Sequence, residues 1–415
     1  MKLISDYQFG FRKKSNTEVA AIELIDQIQH IIDTKKKASI VLMDIKKTFD
    51  MVNTNKLLAV LDAYGIRGNA NKLLESYLTN RVQYVKVGSA ASKEIHFSHS
   101  VIQGSAIGAY LFTLFINQIS TLSTKGKIFM FADDCILLNE HEIEEPVSKK
   151  IEKDMFKIIN FINYRGLILN ANKTSYMICH SKYNKVPDEN EISIKIDNER
   201  KFDINRVYKA RYLGLMLYCN LNWESHIQHV ESKIANGAGI LWKLRKELPQ
   251  RIKKLVYFSL VQSHLNYMIA IWGTATYNLI RPLQIIQNRT LRNVFNLDRL
   301  HNRVDMYTHK VENCLPISAL YYVSVATFMY NSLSKRIRTN FVFTPSPCNS
   351  LRERNKLRPR KARTNYGINS ILTKGPKIFN DVPLAIKRSP HQYAFKWTLT
   401  CHLRKEESMK LFLNI

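Results

Sequence analysis

The sequence is poor in acidic residues. Its 415 residues carry 34 acidic against 62 basic side chains, which gives a formal net charge of +28 at pH 7. A charge of this size does not report on the fold, but it does favour a polyanion such as nucleic acid as a partner. No amphipathic stretch or lipidation signal favours a membrane partner instead.

Cysteines and long hydrophobic runs are also scarce. No cysteine lies two to four residues from another, which excludes a zinc knuckle, and the scattered thiols are typical of a reducing intracellular compartment. Residues 1–10 lack a signal-peptide core, and the most apolar late stretch, Ala319 to Leu333, is too short to span a membrane. We therefore expect an intracellular protein of the nucleus and cytoplasm, with a buried helix at 319–333.

Two adjacent carboxylates, Asp133 and Asp134, stand between two apolar runs that predict a tight β-hairpin. Asp44 ends another apolar run that predicts a buried strand. A divalent cation would neutralise such a pair, because hard cations take oxygen ligands. Three acids at strand ends suit a two-metal site for phosphoryl transfer. An Asp-Asp pair alone is more often a solvated turn, so the surrounding motifs decide between these interpretations.

Further motifs follow in a fixed order along the chain. They are Gln8 to Arg12, Asp44 to Asp50, Gln103-Gly104-Ser105, Phe131 to Asp134, Leu169 to Thr174, Tyr212-Leu213-Gly214 with Trp223 and His226, and Gly375 to Pro383. In this order they resemble the reverse transcriptases of non-LTR (LINE-type) retrotransposons of the jockey-like group. The resemblance covers nearly the whole chain.

The resemblance implies an α+β fold of the right-hand polymerase type. Partial fingers and a palm sheet backed by helices would occupy residues 1–230. A helical thumb would occupy 231–345, and a basic connector with a C-terminal tail would occupy 346–415. The change from mixed strands and helices to mainly helical patterns after Trp223 agrees with this division.

The resemblance also implies the chemistry, which is extension of a primer 3′-hydroxyl with dNTPs on an RNA template. Two Mg²⁺ ions, with Mn²⁺ as a substitute, would be held by Asp44, Asp133, Asp134 and the carbonyl of Ile45. Phe49 would lie beneath the sugar and exclude a 2′-hydroxyl. Gln103 and Gly104 would contact the nascent base pair. Lys173 would balance the pyrophosphate charge, although a solvated lysine is an equally good interpretation.

Nucleic-acid contacts are expected at three kinds of place. Arg12 would touch template phosphate or form a surface ion pair, and Tyr212, Leu213 and Gly214 would hold the primer end. Two basic tracts have spacings that suit successive phosphates. They comprise Lys243, Arg245, Lys246, Arg251, Lys253 and Lys254, and Arg352, Arg354, Lys356, Arg358, Arg360, Lys361 and Arg363.

The sequence also departs from the family pattern. Lys46 and Thr48 replace the usual small residues around Lys47, and Thr48 is the one next to Phe49. Fingers sequence expected before Gln8 is missing, as in a truncated copy. No endonuclease motif is present, so target cutting would be supplied separately. Two functions stay open: an RNA-directed DNA polymerase, or a catalytically inactive, nucleic-acid-binding remnant of one.

Overall fold

The computed structural model describes residues 3–97, 100–102, 104–182, 191–196, 200–346 and 356–413. These residues form two compact units of mixed helix and strand content, which confirms the predicted α+β class. The first unit comprises Met1–Ala20 and Lys35–Tyr208, and the second comprises Ala21–Thr34 and Lys209–Ile415. The division at residues 230 and 345 stays a prediction.

Ten of the described strands belong to the first unit, and the last two belong to the second. They are β1 (Lys37–Met43), β2 (Arg81–Gln83), β3 (Lys86–Val87), β4 (Ala90–Ala91), β5 (Ile95–Phe97), β6 (Lys127–Phe131), β7 (Asp134–His141), β8 (Ser175–Cys179), β9 (Glu191–Lys195), β10 (Lys201–Arg206), β11 (Lys209–Tyr212) and β12 (Leu215–Tyr218).

Helices dominate the described part of the second unit. The helices of the described residues, in both units, are α1 (Thr17–Asp33), α2 (Thr54–Ala63), α3 (Asn69–Leu78), α4 (Gly108–Asn117), α5 (Ser148–Tyr164), α6 (Glu224–Lys243), α7 (Gln250–Tyr257), α8 (Ser263–Asn266), α9 (Ile269–Trp272), α10 (Tyr277–Phe295), α11 (Arg303–Asp305), α12 (Ile317–Leu333), α13 (Asn365–Asn369), α14 (Ile371–Asp381), α15 (Leu384–Lys387), α16 (Gln392–Leu403) and α17 (Glu406–Leu413). Short 3-10 and π segments, Gln118–Thr121, Phe258–Gln262 and Met306–Lys310, follow α4, α7 and α11.

A six-stranded sheet of order β6-β7-β1-β8-β10-β9 organises the first unit. The central strand β1 is buried along nearly its whole length, as its apolar run predicts, and it pairs antiparallel with both β7 and β8. Helices α2, α4 and α5 cover the sheet, with Leu61, Phe112 and Ile158 in one apolar core. Burial of such large side chains supplies most of the stabilisation of a sheet of this kind.

Local sequence signals predict several of these elements well. Asn16 is the N-cap of α1, because its side-chain oxygen accepts a hydrogen bond from Val19 N at 2.8 Å. The apolar runs Val82 to Val87 and Ile95 to Val101 suggest one hairpin, but the described residues form two short pairs, β2 with β5 and β3 with β4. Leu169 makes an isolated bridge with Ile45.

Helix α12 lies at the centre of the second unit. It is apolar on all sides, with Ala319, Val323 and Ala326 buried, which is the pattern of a fully enclosed helix and agrees with the buried helix that the sequence predicts. Among the described residues, no helix combines the length and the apolar character needed to cross a membrane.

Acidic side chains of α1 bind the C-terminal part of the second unit. Glu23 accepts hydrogen bonds from the main-chain and side-chain nitrogens of Asn340 at 2.6 and 2.7 Å, and its burial raises its pKa to about 7. Asp33 accepts hydrogen bonds from Arg363 N and from Thr364 N and Oγ1. Asn340, Arg363 and Thr364 are therefore fixed by polar groups that come from near the start of the chain.

Two glycines of α6 provide a matched test of packing in the second unit. A Cβ added to Gly237 would lie 2.9 Å from Leu260 O, whereas a Cβ added to Gly239 meets no atom within 4 Å. We expect Gly237→Ala to lower the free energy of unfolding by about 1–3 kcal/mol through overpacking. Gly239→Ala should raise it by about 0.5–1 kcal/mol, because alanine restricts the unfolded chain. Urea unfolding followed by circular dichroism measures both, and equal effects would contradict the packing described.

Candidate active site

Strand pairing brings the three predicted carboxylates to one end of the six-stranded sheet. Strands β6 and β7 form the predicted hairpin, in which Ala132 (φ 57°) and Asp133 make the turn and Asp134 begins β7. The pairing of β1 with β7 sets Met43 opposite Cys135. Continued by one residue, this register places Asp44 opposite Asp134.

The electrostatics of the hairpin agree with this placement. Partial removal from water raises the pKa of Asp134, and the negative charges of Asp133 and Asp44 raise it further. The three carboxylates therefore repel one another. A divalent cation between them would relieve this repulsion.

A main-chain carbonyl adds to the oxygen atoms available to a cation. This carbonyl is Ile45 O. The buried hydroxyl of Thr48 lies 3.1 Å from Ile45 O and 3.4 Å from Asp133 Oδ2, so one hydroxyl contacts both acceptors. Within the described residues, no three or more histidine, cysteine or acidic side chains are grouped so as to enclose a metal ion. Mg²⁺ usually takes only one or two protein carboxylates and keeps waters and substrate phosphates as its other ligands. The oxygen ligands that Asp44, Asp133 and Ile45 O would provide fit this coordination preference.

The loop before β8 holds Asp44 in place. Asn170 Nδ2 donates to Asp44 Oδ2 at 2.9 Å, Asn170 N donates to Asp44 O at 2.8 Å, and Asp44 N donates to Thr174 Oγ1 at 3.4 Å. Sequence reasoning assigned no role to Asn170 or Thr174, although both lie in the Leu169 to Thr174 motif. Lys173, between them, is exposed, and its proposed role near the pyrophosphate stays a prediction.

Phe49 is held on both its backbone and its ring. Its carbonyl accepts a hydrogen bond from Val101 N at 2.9 Å, and its half-buried ring lies 5.0 Å from the ring of Phe112 in α4. Gly104 has a φ of +78°, a conformation that favours glycine. Gln103 lies outside the described residues.

Arg12 binds carbonyl groups of its own segment. Its guanidinium donates to the carbonyls of Ile4, Ser5 and Gln8. These bonds fix the chain near the N-terminal motif, and contact with template phosphate stays a prediction.

In the second unit, the predicted primer-end motif forms a tight hairpin between β11 and β12. Leu213 (φ 46°) and Gly214 (φ 85°) occupy its two-residue turn, and Tyr212 is buried. The hydroxyl of Tyr267 donates to Leu213 O at 2.5 Å. His226 Nδ1 in α6 accepts a hydrogen bond from Met216 N at 3.3 Å, so Tyr267 and His226 both fix the hairpin.

The first basic tract contains both exposed and internally bound cations. The Arg245 guanidinium stacks 4.0 Å from the centre of the exposed Trp242 ring, and Lys243 is exposed. By contrast, Lys253 is buried and donates to Asn296 Oδ1 at 2.8 Å. Lys254 forms an ion pair with Glu312 at 2.7 Å. Burial and ion pairing therefore separate side chains that look equivalent in the sequence.

The second tract divides in the same way, although its residues 347–355, with Arg352 and Arg354, lie outside the described part of the chain. Arg360 is bound internally, to the buried Asp26 at 3.1 Å and to Ser370 Oγ at 3.0 Å. Arg358 is exposed and lines an open cavity of about 310 Å³ together with Phe343 and Lys361. An aromatic ring beside cations is a combination that suits a single strand of nucleic acid.

An acidic hairpin on a mainly antiparallel, palm-like sheet is typical of template-directed polymerases, and the comparisons agree. Residues 1–217 of the chain match the family Reverse transcriptase (RNA-dependent DNA polymerase). The match spans more than half of the chain, and the chain belongs to this family.

Similar proteins come from fly transposons. The probable RNA-directed DNA polymerase from transposon X-element of Drosophila melanogaster is 25% identical over 300 residues, 69% of this chain and 31% of that protein. The RNA-directed DNA polymerase from mobile element jockey of the same species is 22% identical over 369 residues, 86% of this chain and 39% of that protein. The chain thus spans about a third of the length of these relatives.

Similar solved structures include two telomerases. Telomerase from Candida albicans is 13% identical with a TM-score of 0.35, over 70% of this chain and 48% of that chain. Apo telomerase from Candida tropicalis is 12% identical with a TM-score of 0.38, over 71% and 52%.

Stability measurements distinguish the two arginines of the second tract. Arg360→Ala should lower the free energy of unfolding by about 3 kcal/mol, because it leaves the buried Asp26 without its ion-pair partner. Arg358→Ala, on the same segment, should change the free energy by less than about 0.5 kcal/mol, because its side chain is exposed. Chemical denaturation gives both values. A large loss for Arg358→Ala would show that this residue, too, has a structural role.

Proposed function

We propose that the chain carries the RNA-directed DNA polymerase domain of a non-LTR retrotransposon. The observation that carries the proposal is the meeting of Asp44 with Asp133 and Asp134 at one end of the sheet, in a chain whose first 217 residues match the reverse transcriptase family. The reaction is transfer of a nucleotide from a dNTP to a primer 3′-hydroxyl on an RNA template.

Asp44, Asp133 and the Ile45 carbonyl would hold two Mg²⁺ ions, or Mn²⁺ in their place, with Asp134 as a further ligand. When bound, such ions lower the pKa of an attacking hydroxyl and stabilise charge on a leaving phosphate. The residues around these ligands have separate tasks. Asn170 orients the Asp44 carboxylate through its 2.9 Å hydrogen bond.

The nucleotide would lie between the carboxylates and Phe49. The Phe49 ring packs against Phe112, and its carbonyl is held by Val101 N. In this position the ring would leave no room for a 2′-hydroxyl. Gln103 and Gly104 follow Val101 and would contact the base pair. Lys173, exposed in the loop that holds Asp44, would balance the charge of the departing pyrophosphate.

Basic and aromatic side chains of the second unit would hold the RNA template and the DNA primer or target. Lys243, the Arg245–Trp242 pair and the cavity beside Arg358 combine charge with stacking surfaces. The hairpin of Tyr212, Leu213 and Gly214 would contact the primer end.

A second candidate is a catalytically inactive remnant that binds nucleic acid. The observation behind it is the size of the buried Thr48 side chain, which replaces a smaller residue beside Asp133 and would disfavour catalysis if it obstructed the site. The net charge of +28 would remain sufficient for salt-sensitive binding without catalysis.

Primer extension by the purified chain tests the proposal directly. The assay uses an RNA template, a DNA primer, dNTPs and Mg²⁺ or Mn²⁺. Asp44→Ala and Asp133→Ala should each lower the extension rate about a hundredfold or more, because both remove charge at the reacting centre. Asp62→Ala, at an exposed surface carboxylate paired with Arg67, is the control and should leave the rate unchanged. Binding of the template–primer should persist in all variants.

The two functions give opposite results in this assay. Extension that depends on Asp133 identifies a polymerase. Absence of extension by the unmodified chain, together with tight and salt-sensitive binding of the hybrid, identifies the remnant.

Sugar selection gives an independent test of Phe49. Phe49→Val should reduce the preference for dNTPs over rNTPs about tenfold or more, because the smaller side chain leaves space for a 2′-hydroxyl. Phe49→Tyr keeps the ring and should keep the preference. The ratio of kcat/KM for dGTP and GTP is the measurement. An unchanged ratio in Phe49→Val would refute the proposed role of Phe49 in excluding a 2′-hydroxyl.

A further inference from the structure

Thr48 is the one replaced residue of the Asp44 to Asp50 motif that is both buried and in contact with a candidate cation ligand. Its hydroxyl lies 3.1 Å from Ile45 O and 3.4 Å from Asp133 Oδ2, and the residue is 5% exposed. Under the proposed function, on which this inference rests, both oxygens are cation ligands.

The two contacts have different origins. A threonine hydroxyl often bonds the carbonyl three or four residues earlier, so the bond to Ile45 O is ordinary for a tight turn. The contact with Asp133 joins positions 85 residues apart and exists only because the turn after β1 faces the β6–β7 turn. Thr48 therefore connects the two segments that supply the ligands.

The chemistry of a hydroxyl explains what this connection does. Ile45 O and the Asp133 carboxylate are both acceptors, and they would repel each other at short range without a donor between them. The hydroxyl supplies one hydrogen, which the two acceptors share. A donor to an ionised group is worth more than one to a neutral group, so the contact at 3.4 Å favours one direction of the Asp133 carboxylate.

We propose that Thr48 is a positioning residue that holds the Asp133 carboxylate and the Ile45 carbonyl in place for a divalent cation. Groups that orient metal ligands in this way typically change metal affinity 10- to 100-fold when they are removed. The sequence alone allows the opposite effect, in which a side chain larger than the usual alanine obstructs the site.

Three substitutions separate positioning from obstruction. Thr48→Val keeps the size and removes the hydroxyl, Thr48→Ser keeps the hydroxyl, and Thr48→Ala removes both. If Thr48 positions the ligands, Thr48→Val and Thr48→Ala bind a cation more weakly while Thr48→Ser resembles the unmodified chain. If Thr48 obstructs the site, Thr48→Ala binds more tightly and Thr48→Val resembles the unmodified chain.

Titration of the full chain with Mn²⁺, followed by electron paramagnetic resonance without nucleotide or nucleic acid, measures this affinity. The Kd for Mn²⁺ should rise about tenfold in Thr48→Val and Thr48→Ala and stay within about twofold in Thr48→Ser. Thr290→Val is the matched control. Thr290 is also a buried threonine, its hydroxyl donates to Ile286 O at 2.8 Å, and its loss should leave the Kd unchanged.

Asp133→Asn separates failure of this inference from failure of the proposed function. If Asp133→Asn weakens Mn²⁺ binding and Thr48→Val does not, the cation site stands and the role of Thr48 is refuted. If Asp133→Asn has no effect, or the unmodified chain binds no Mn²⁺, the cation assignment itself is refuted. In the double variant Thr48→Val/Asp133→Asn, positioning predicts a Kd no higher than that of Asp133→Asn alone, because the hydroxyl acts through Asp133.

Discussion

The antiparallel pairing of β1 with β7 is the constraint on which the candidate site depends. It sets apolar partners such as Val41 and Leu137 against each other in the sheet interior, and at the end of the same ladder it leaves Asp44 beside Asp133 and Asp134. Hydrophobic burial and main-chain hydrogen bonds thus oppose a repulsion that raises the pKa of Asp134. The sheet holds the three carboxylates together against their electrostatic repulsion, and a bound cation would offset that repulsion.

Helix α1 has a comparable role in the second unit. It lies early in the sequence, yet Glu23, Asp26 and Asp33 are partners of Asn340, Arg360 and Thr364. Without α1, these three residues would lose their carboxylate partners, and Arg360 would lose its ion pair with the buried Asp26. The division of the chain into structural units is therefore not a division of the sequence into consecutive domains.

The outline of the site could be predicted from the sequence, because the acidic hairpin and the strand before Asp44 follow from local patterns of apolar residues. The contacts of Asn170 and Thr48 could not, since they join positions 126 and 85 residues apart. Charge patterns were also incomplete guides. In the sequence, Arg360 and Lys253 resemble the other cations of their tracts. In the fold, Arg360 is bound to Asp26 and Lys253 to Asn296. A sequence shows which residues are charged, whereas only the fold shows which of those charges are compensated.

The energetics of the carboxylates bear on whether the chain is a working enzyme or a remnant. Partial burial and the charges of Asp133 and Asp44 raise the pKa of Asp134. Hydrogen bonds from Asn170 to Asp44 and from Thr48 to Asp133 offset part of this repulsion. Of the two replaced residues beside them, Lys46 is exposed, and only Thr48 touches a ligand. Because that contact is a donor to an acceptor, it supports the acidic site rather than opposing it, and the polymerase is the function that agrees with both observations.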